Sequence, residues 1–105
     1  MVPQRKRRPD MARTKTTKTR RVVFSVQADP ESIVYLAGSF NNWDPLAKEM
    51  TDKKHTGIFS AAVMLQPGTH EYKFVINGTW CVDPTNSDWT QNSLGTLNSV
   101  LVVDP

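Results

Sequence analysis

From Val22 onward the apolar residues of the chain recur at every second position. Val22, Phe24, Val26 and Ala28 fall on one side, and Val23, Ser25 and Gln27 on the other, which is the period of a strand buried on one face. Residues 29–32, Asp-Pro-Glu-Ser, bring turn formers together. Residues 33–38 follow as a second strand, rich in β-branched and aromatic side chains. Ile58–Leu65 alternates again, with Phe59, Ala61, Val63 and Leu65 on one side, and Gln66-Pro67-Gly68 then gives proline and glycine in the order of a type II turn. Residues 69–76 set His70, Tyr72, Phe74 and Ile76 against Glu71, Lys73 and Val75, and Leu97–Val103 closes the series. Residues 83–94 are too polar and irregular to predict a strand, so they read as a loop carrying Trp89. No helical stretch competes. The pattern predicts an all-β fold, an immunoglobulin-like antiparallel β-sandwich, although the Cys-Trp-Cys hallmark of antibody domains is missing.

One turn fixes a register. Asn77-Gly78 lies between apolar stretches, and this pair favours a two-residue hairpin in which both residues have positive φ. Ile76 then opposes Thr79, Val75 opposes Trp80, Phe74 opposes Cys81 and Lys73 opposes Val82. Opposed residues share a face, so Lys73, Val75, Trp80 and Val82 point one way while Phe74, Ile76 and Cys81 point the other. Lys73 sits diagonally beside Trp80.

Composition changes this picture mainly at the N-terminus. The 105 residues suit one domain. Nine basic residues against Asp10 give residues 1–21 a net charge of +8, so residues 22–105 carry −5 of the formal +3. Residues 1–21 therefore read as a disordered basic tail and residues 22–105 as the folded domain. The tail offers a nucleic-acid-binding alternative, but basic tails more often stay solvated, and a folded body of opposite sign does not track phosphates. The lone Cys81 excludes an intramolecular disulfide and, opposite Phe74, reads as a buried, inert thiol. No apolar run is long enough for a signal peptide or a membrane span, and Met1-Val2 lacks the glycine that myristoylation requires. A cytoplasmic protein without a membrane partner or a cofactor is the expectation.

Three motifs in order carry a resemblance. Residues 34–43 read Val-Tyr-Leu-Ala-Gly-Ser-Phe-Asn-Asn-Trp. Residues 70–80 read His-Glu-Tyr-Lys-Phe-Val-Ile-Asn-Gly-Thr-Trp, with Asp83-Pro84 after them, and residues 94–99 read Leu-Gly-Thr-Leu-Asn-Ser. Together they resemble a family-48 carbohydrate-binding module. This is the glycogen-binding domain of the AMP-activated protein kinase β-subunit and the early-set domain of isoamylase and branching-enzyme relatives. The resemblance implies a glucan platform of Trp43, Trp80 and Lys73, completed by Leu94, Thr96 and Asn98. The register reaches the pairing of Lys73 with Trp80 independently, whereas the proximity of Trp43 rests on the resemblance alone. The chain holds neither the kinase-assembly segment nor the catalytic barrel of those relatives, so neither role is implied here.

These residue types suit a sugar. A glucose ring has an apolar C–H face and a rim of hydroxyls, and Trp offers the largest flat surface for the first. Lys73, Thr96 and Asn98 supply donors and acceptors for the second, while Leu94 presses on apolar edges. The bland readings stand beside these: Trp43 as an edge cover, Lys73 as a solvated strand residue, Leu94 as core under a loop. Trp89 reads as a loop anchor, His55 as solvated and His70 as a structural histidine. Asp44, Asp83 and Asp88 lie near aromatic residues, as turn carboxylates commonly do, and nothing else suggests a glycosidase pair, a nucleophile or a metal site. The chain is expected to bind α-1,4-linked glucan and not to be an enzyme. The alternative is an early-set module docking a separately encoded glucan-active enzyme or kinase.

Overall fold

The computed structural model describes residues 18–105, so the tail reading for residues 1–17 lies outside the described residues. Among the described residues eight strands succeed one another: β1 (Arg20–Gln27), β2 (Val34–Gly38), β3 (Glu49–Met50), β4 (Ile58–Leu65), β5 (Gly68–Ile76), β6 (Thr79–Cys81), β7 (Trp89–Gln91) and β8 (Leu97–Val103). They form two antiparallel sheets. β1 and β4 make the smaller sheet, and the larger one runs β3-β2-β5-β8-β7 with β6 also paired to β5. The all-β antiparallel sandwich expected from the period-2 patterning is the fold observed. Among the described residues no helix is long and apolar enough to cross a membrane.

Alternation sets which residues fill the space between the sheets. Phe24, Val26, Phe59 and Leu65 enter from the smaller sheet, and Val34, Leu36, Met50, Tyr72, Phe74 and Val103 from the larger. Val22, Ala28, Ala61 and Val63, assigned to the same inner faces by pattern, pack against this cluster. Phe24 meets Tyr72 edge to face, with ring centroids 4.9 Å apart, a geometry that adds about 0.5–1.5 kcal/mol to area burial. Phe74 is fully buried, which contributes about 1.5–3 kcal/mol relative to an exposed ring.

β5 is the central strand. Its first half pairs with β8, from Gly68 with Val103 to Tyr72 with Ser99. Its second half pairs with β6 on that side and with β2 on the other. The β5–β6 turn has Asn77 at φ 51° and Gly78 at φ 82°, both positive as a type I′ hairpin demands. Phe74, Val75 and Ile76 oppose Cys81, Trp80 and Thr79 as the turn predicts. The ladder stops there, one pair short of Lys73 and Val82. Asn77 also ties the hairpin to the turn before β2, because its Oδ1 accepts the Ile33 N–H at 2.9 Å and its Nδ2 donates to Ser32 Oγ at 3.2 Å.

The structure departs from the pattern in a few places. β1 starts at Arg20 and β2 at Val34, with Ile33 left exposed outside the strand. Trp89 is not on a loop: β7 pairs Trp89, Thr90 and Gln91 with Ser99, Asn98 and Leu97. Three residues display no period to read, and β7 forms because β8 offers it a free edge and Trp and Thr suit strands. The two-residue β3 escapes pattern reading for the same reason. Cys81 is half-buried, not sealed, and its thiol lies 3.5 Å from the Thr79 carbonyl.

Candidate functional site

Because Tyr72 and Phe74 face the core, β5 turns Glu71, Lys73 and Val75 outward. Trp80, opposite Val75 on β6, is 44% exposed on this outer face. Asn98 of β8 lies beside them, and the β7–β8 connection brings Leu94 and Thr96 over the sheet. One shallow depression of about 490 Å³ is lined by Trp43, Lys73, Trp80, Leu94, Thr96 and Asn98, together with Asn92 and Ser93. All six residues singled out in the sequence thus meet around one hollow. Leu94 is 86% exposed, which removes the reading of it as core.

Trp43 arrives on the loop after β2, and the loop's own bonds explain why it reaches so far. Asn41 accepts the Gly38 N–H at its Oδ1 (3.0 Å) and donates from Nδ2 to the Leu36 carbonyl (3.0 Å), closing the end of the strand. The Gly38 carbonyl in turn accepts N–H bonds from Asn41 and Trp43. Asn42 and Trp43 both have φ 57°. A left-handed backbone at Trp costs about 1–3 kcal/mol and persists only where its surroundings over-determine it. Gly38 is needed for a different reason: a Cβ there would lie 2.6 Å from the Glu71 carbonyl oxygen and 2.5 Å from the Phe40 ring.

A hydrogen-bond chain holds the polar side of the hollow. Lys73 Nζ donates to Thr96 Oγ1 at 3.1 Å. Asn92 Nδ2 donates to Thr96 Oγ1 at 2.7 Å and to Asn98 Oδ1 at 3.1 Å, while its Oδ1 accepts the N–H groups of Leu94 and Thr96. Asn98, almost fully buried, donates from Nδ2 to Glu71 Oε1 at 2.8 Å. Asn92 and Glu71 were missed in the sequence. The Asn92-Ser93-Leu94-Gly95 string does carry a signal, because Asn before a turn with Gly three residues on is an Asx-type arrangement.

The other residues weighed earlier stand apart from the hollow. Trp89 donates its indole N–H to the Asn86 carbonyl at 3.0 Å and so anchors the preceding segment, as expected, though from a strand. His70 Nε2 sits 2.7 Å from the Gln66 carbonyl, a structural position. His55 is exposed and contacts Glu31 at 3.1 Å. Asp83 is buried; its Oδ2 accepts the Tyr72 hydroxyl at 2.8 Å, its Oδ1 accepts from Thr85, and its own N–H donates to Ser99 Oγ. Burial pushes the Tyr72 hydroxyl up to about 12; a bond from Asn86 opposes this, and the Asp83 carboxylate reinforces it. The network pins residues 83–86 beneath β8, away from the hollow. Chemically, the hollow presents two indoles, one ammonium and amide and hydroxyl groups around exposed apolar surface.

Comparison with known proteins gives this surface a context. The chain is 33% identical over 103 residues to Protein FLOURY ENDOSPERM 6, chloroplastic, of Oryza sativa subsp. japonica, covering 98% of this chain and 18% of that protein. Protein PTST homolog 2, chloroplastic, of Arabidopsis thaliana matches to the same extent. The 5'-AMP-activated protein kinase subunit beta-1 of Sus scrofa is 41% identical over 70 residues, 67% of this chain and 53% of that one. The chain therefore spans about half or less of the length of these curated relatives. Residues 21–105 match the family model described as the glycogen recognition site of AMP-activated protein kinase, and the chain belongs to that family of carbohydrate-binding domains.

Proposed function

We propose that the β-sandwich binds α-1,4-linked glucan of the glycogen or starch type without acting on it chemically. Trp43 and Trp80 supply stacking faces, Lys73, Thr96 and Asn98 hydrogen-bond the hydroxyl rim, and Leu94 presses on apolar sugar edges. The observation that carries this reading is the convergence of these six residues, drawn from separate segments, on one outer hollow. Family membership supplies the ligand class, and the chemistry of indole on C–H supplies the mode. Exposed, wet surfaces of this kind bind on the order of micromolar to millimolar.

A non-catalytic reading is supported by how the nearby carboxylates are used. Asp83 is engaged by Tyr72 and Thr85, Asp44 Oδ1 accepts the Leu46 N–H, and neither of them nor Asp88 lines the hollow. In the relatives the matching segment is part of a longer protein, so we take the domain to hold its host against glucan. The cytoplasmic expectation rests on composition, and the relatives' names divide between chloroplastic proteins and kinase subunits.

The test is a titration of Trp fluorescence with β-cyclodextrin, together with migration in glycogen-containing gels. The wild-type chain should respond and be retarded. Trp80→Ala should keep its melting temperature but lose more than about tenfold in affinity and migrate as in a glycogen-free gel. Unchanged retardation of that variant would remove the platform.

A further inference from the structure

Trp80 borders a second hollow on its other side. This one, of about 560 Å³, is walled by Trp80, Val75 and Tyr35 and by Ile33, Pro45 and Leu46. Pairing explains the wall: Tyr35 opposes Val75 and Val75 opposes Trp80, so the three form one row across β2, β5 and β6 on the outer face. The row spans two inter-strand spacings, about 10 Å. Lys73, two residues before Val75 on the same strand, belongs to the first hollow. The two hollows also share a loop. Trp43 lines one, while Pro45 and Leu46 line the other, held by the Asx turn in which Asp44 Oδ1 accepts the Leu46 N–H at 2.9 Å.

We infer that this second hollow is an extension subsite for the same α-glucan chain, lengthening the footprint beyond the two-indole platform; the inference rests on the proposed platform. Continuity identifies the occupant, because a polymer stacked on one side of Trp80 and continuing along the sheet runs directly into the Tyr35–Val75–Trp80 row. The wall suits a sugar's C–H faces. Leu46 is 72% and Ile33 59% exposed, and the half-buried Tyr35 brings a ring and a hydroxyl to hydrogen-bond the rim. Asn77, whose amide is engaged by Ile33 and Ser32, fixes the far end. The subsite therefore contributes mainly apolar contact, and it favours long linear chains over compact ones.

The experiment compares β-cyclodextrin, a closed ring with no chain to continue past Trp80, with a long linear maltooligosaccharide, by calorimetry on wild type, Leu46→Ser and Tyr35→Ser. Wild type should bind the linear chain more tightly. Each variant should lose about three- to tenfold for the linear chain and stay within about twofold for the ring, whose retained binding also reports an intact fold. Linear-chain affinity unchanged in both variants would overturn the subsite while leaving the platform standing. Wild type that binds neither ligand would overturn the platform itself, and the subsite with it.

Discussion

Asn92 spends both ends of its amide on the loop that carries Leu94 and Thr96, accepting two backbone N–H groups and donating to Thr96 and Asn98. Removing it frees the Leu94 and Thr96 N–H groups to water, leaves the nearly buried Asn98 without one of its partners, and releases the shape of the loop proposed to bind. Asn92→Ala should lower β-cyclodextrin affinity about tenfold by calorimetry. The loss of about 1 kcal/mol of hydrogen bonding should lower the melting temperature by about 4–8 °C. Equal affinity in the variant would mean that the loop shape is irrelevant to binding. Tyr72 makes a prediction of another kind. An unfolded tyrosine releases its proton near pH 10, whereas the buried Tyr72 holds its own up to about 12. The folded state thus gains a contribution that is complete below pH 10 and disappears as pH rises from 10 to 12. Melting temperature measured across that window should fall more steeply in wild type than in Tyr72→Phe; parallel curves would show that the hydroxyl is not held this way.

At the level of elements, the long strands were legible because one of their faces is buried. β1, β4, β5 and β8 have enough residues for a period of two to declare itself, and the Asn77-Gly78 turn then sets the β5–β6 register pair by pair. β3 and β7 were not legible, because two or three residues carry no period and their pairing is decided by the free edge they meet. The site divides in the same way. Lys73 beside Trp80 follows from strand geometry, but Trp43 reaches the hollow through side-chain bonds of Asn41 and two left-handed residues, which no periodicity encodes. The end of β2 is where this loop is anchored. Gly38→Ala should push its Cβ against the Glu71 carbonyl of the neighbouring strand, costing about 1–3 kcal/mol as overpacking does. A lower urea midpoint is expected, with weaker glycogen retardation because Trp43 donates its N–H to the Gly38 carbonyl. Wild-type stability in this variant would mean that β2 and β5 separate at no cost.

For the whole molecule, charge and surface give separate messages. The high positive charge belongs to residues 1–21, while residues 22–105 are net negative, so the glucan binding proposed for this domain does not call on long-range electrostatic attraction. Binding that rests on stacking and short hydrogen bonds should survive raised salt. Holding a polymer is also different from cutting it: purified chain incubated with glycogen should release no reducing sugar above a protein-free control, and sustained release would refute the non-catalytic reading.

The two sides of β5 serve different masters. Tyr72 and Phe74 are sealed between the sheets, and the residues interleaved with them face the other way, Glu71 and Lys73 half-buried and Val75 covered on that outer side. If the proposed platform holds, Lys73 on the outer side is open to substitution without disturbing the interior, so preference for chain length or branching is free to drift there in evolution or in the laboratory while Tyr72, Phe74 and the covered Val75 keep the scaffold folding as before.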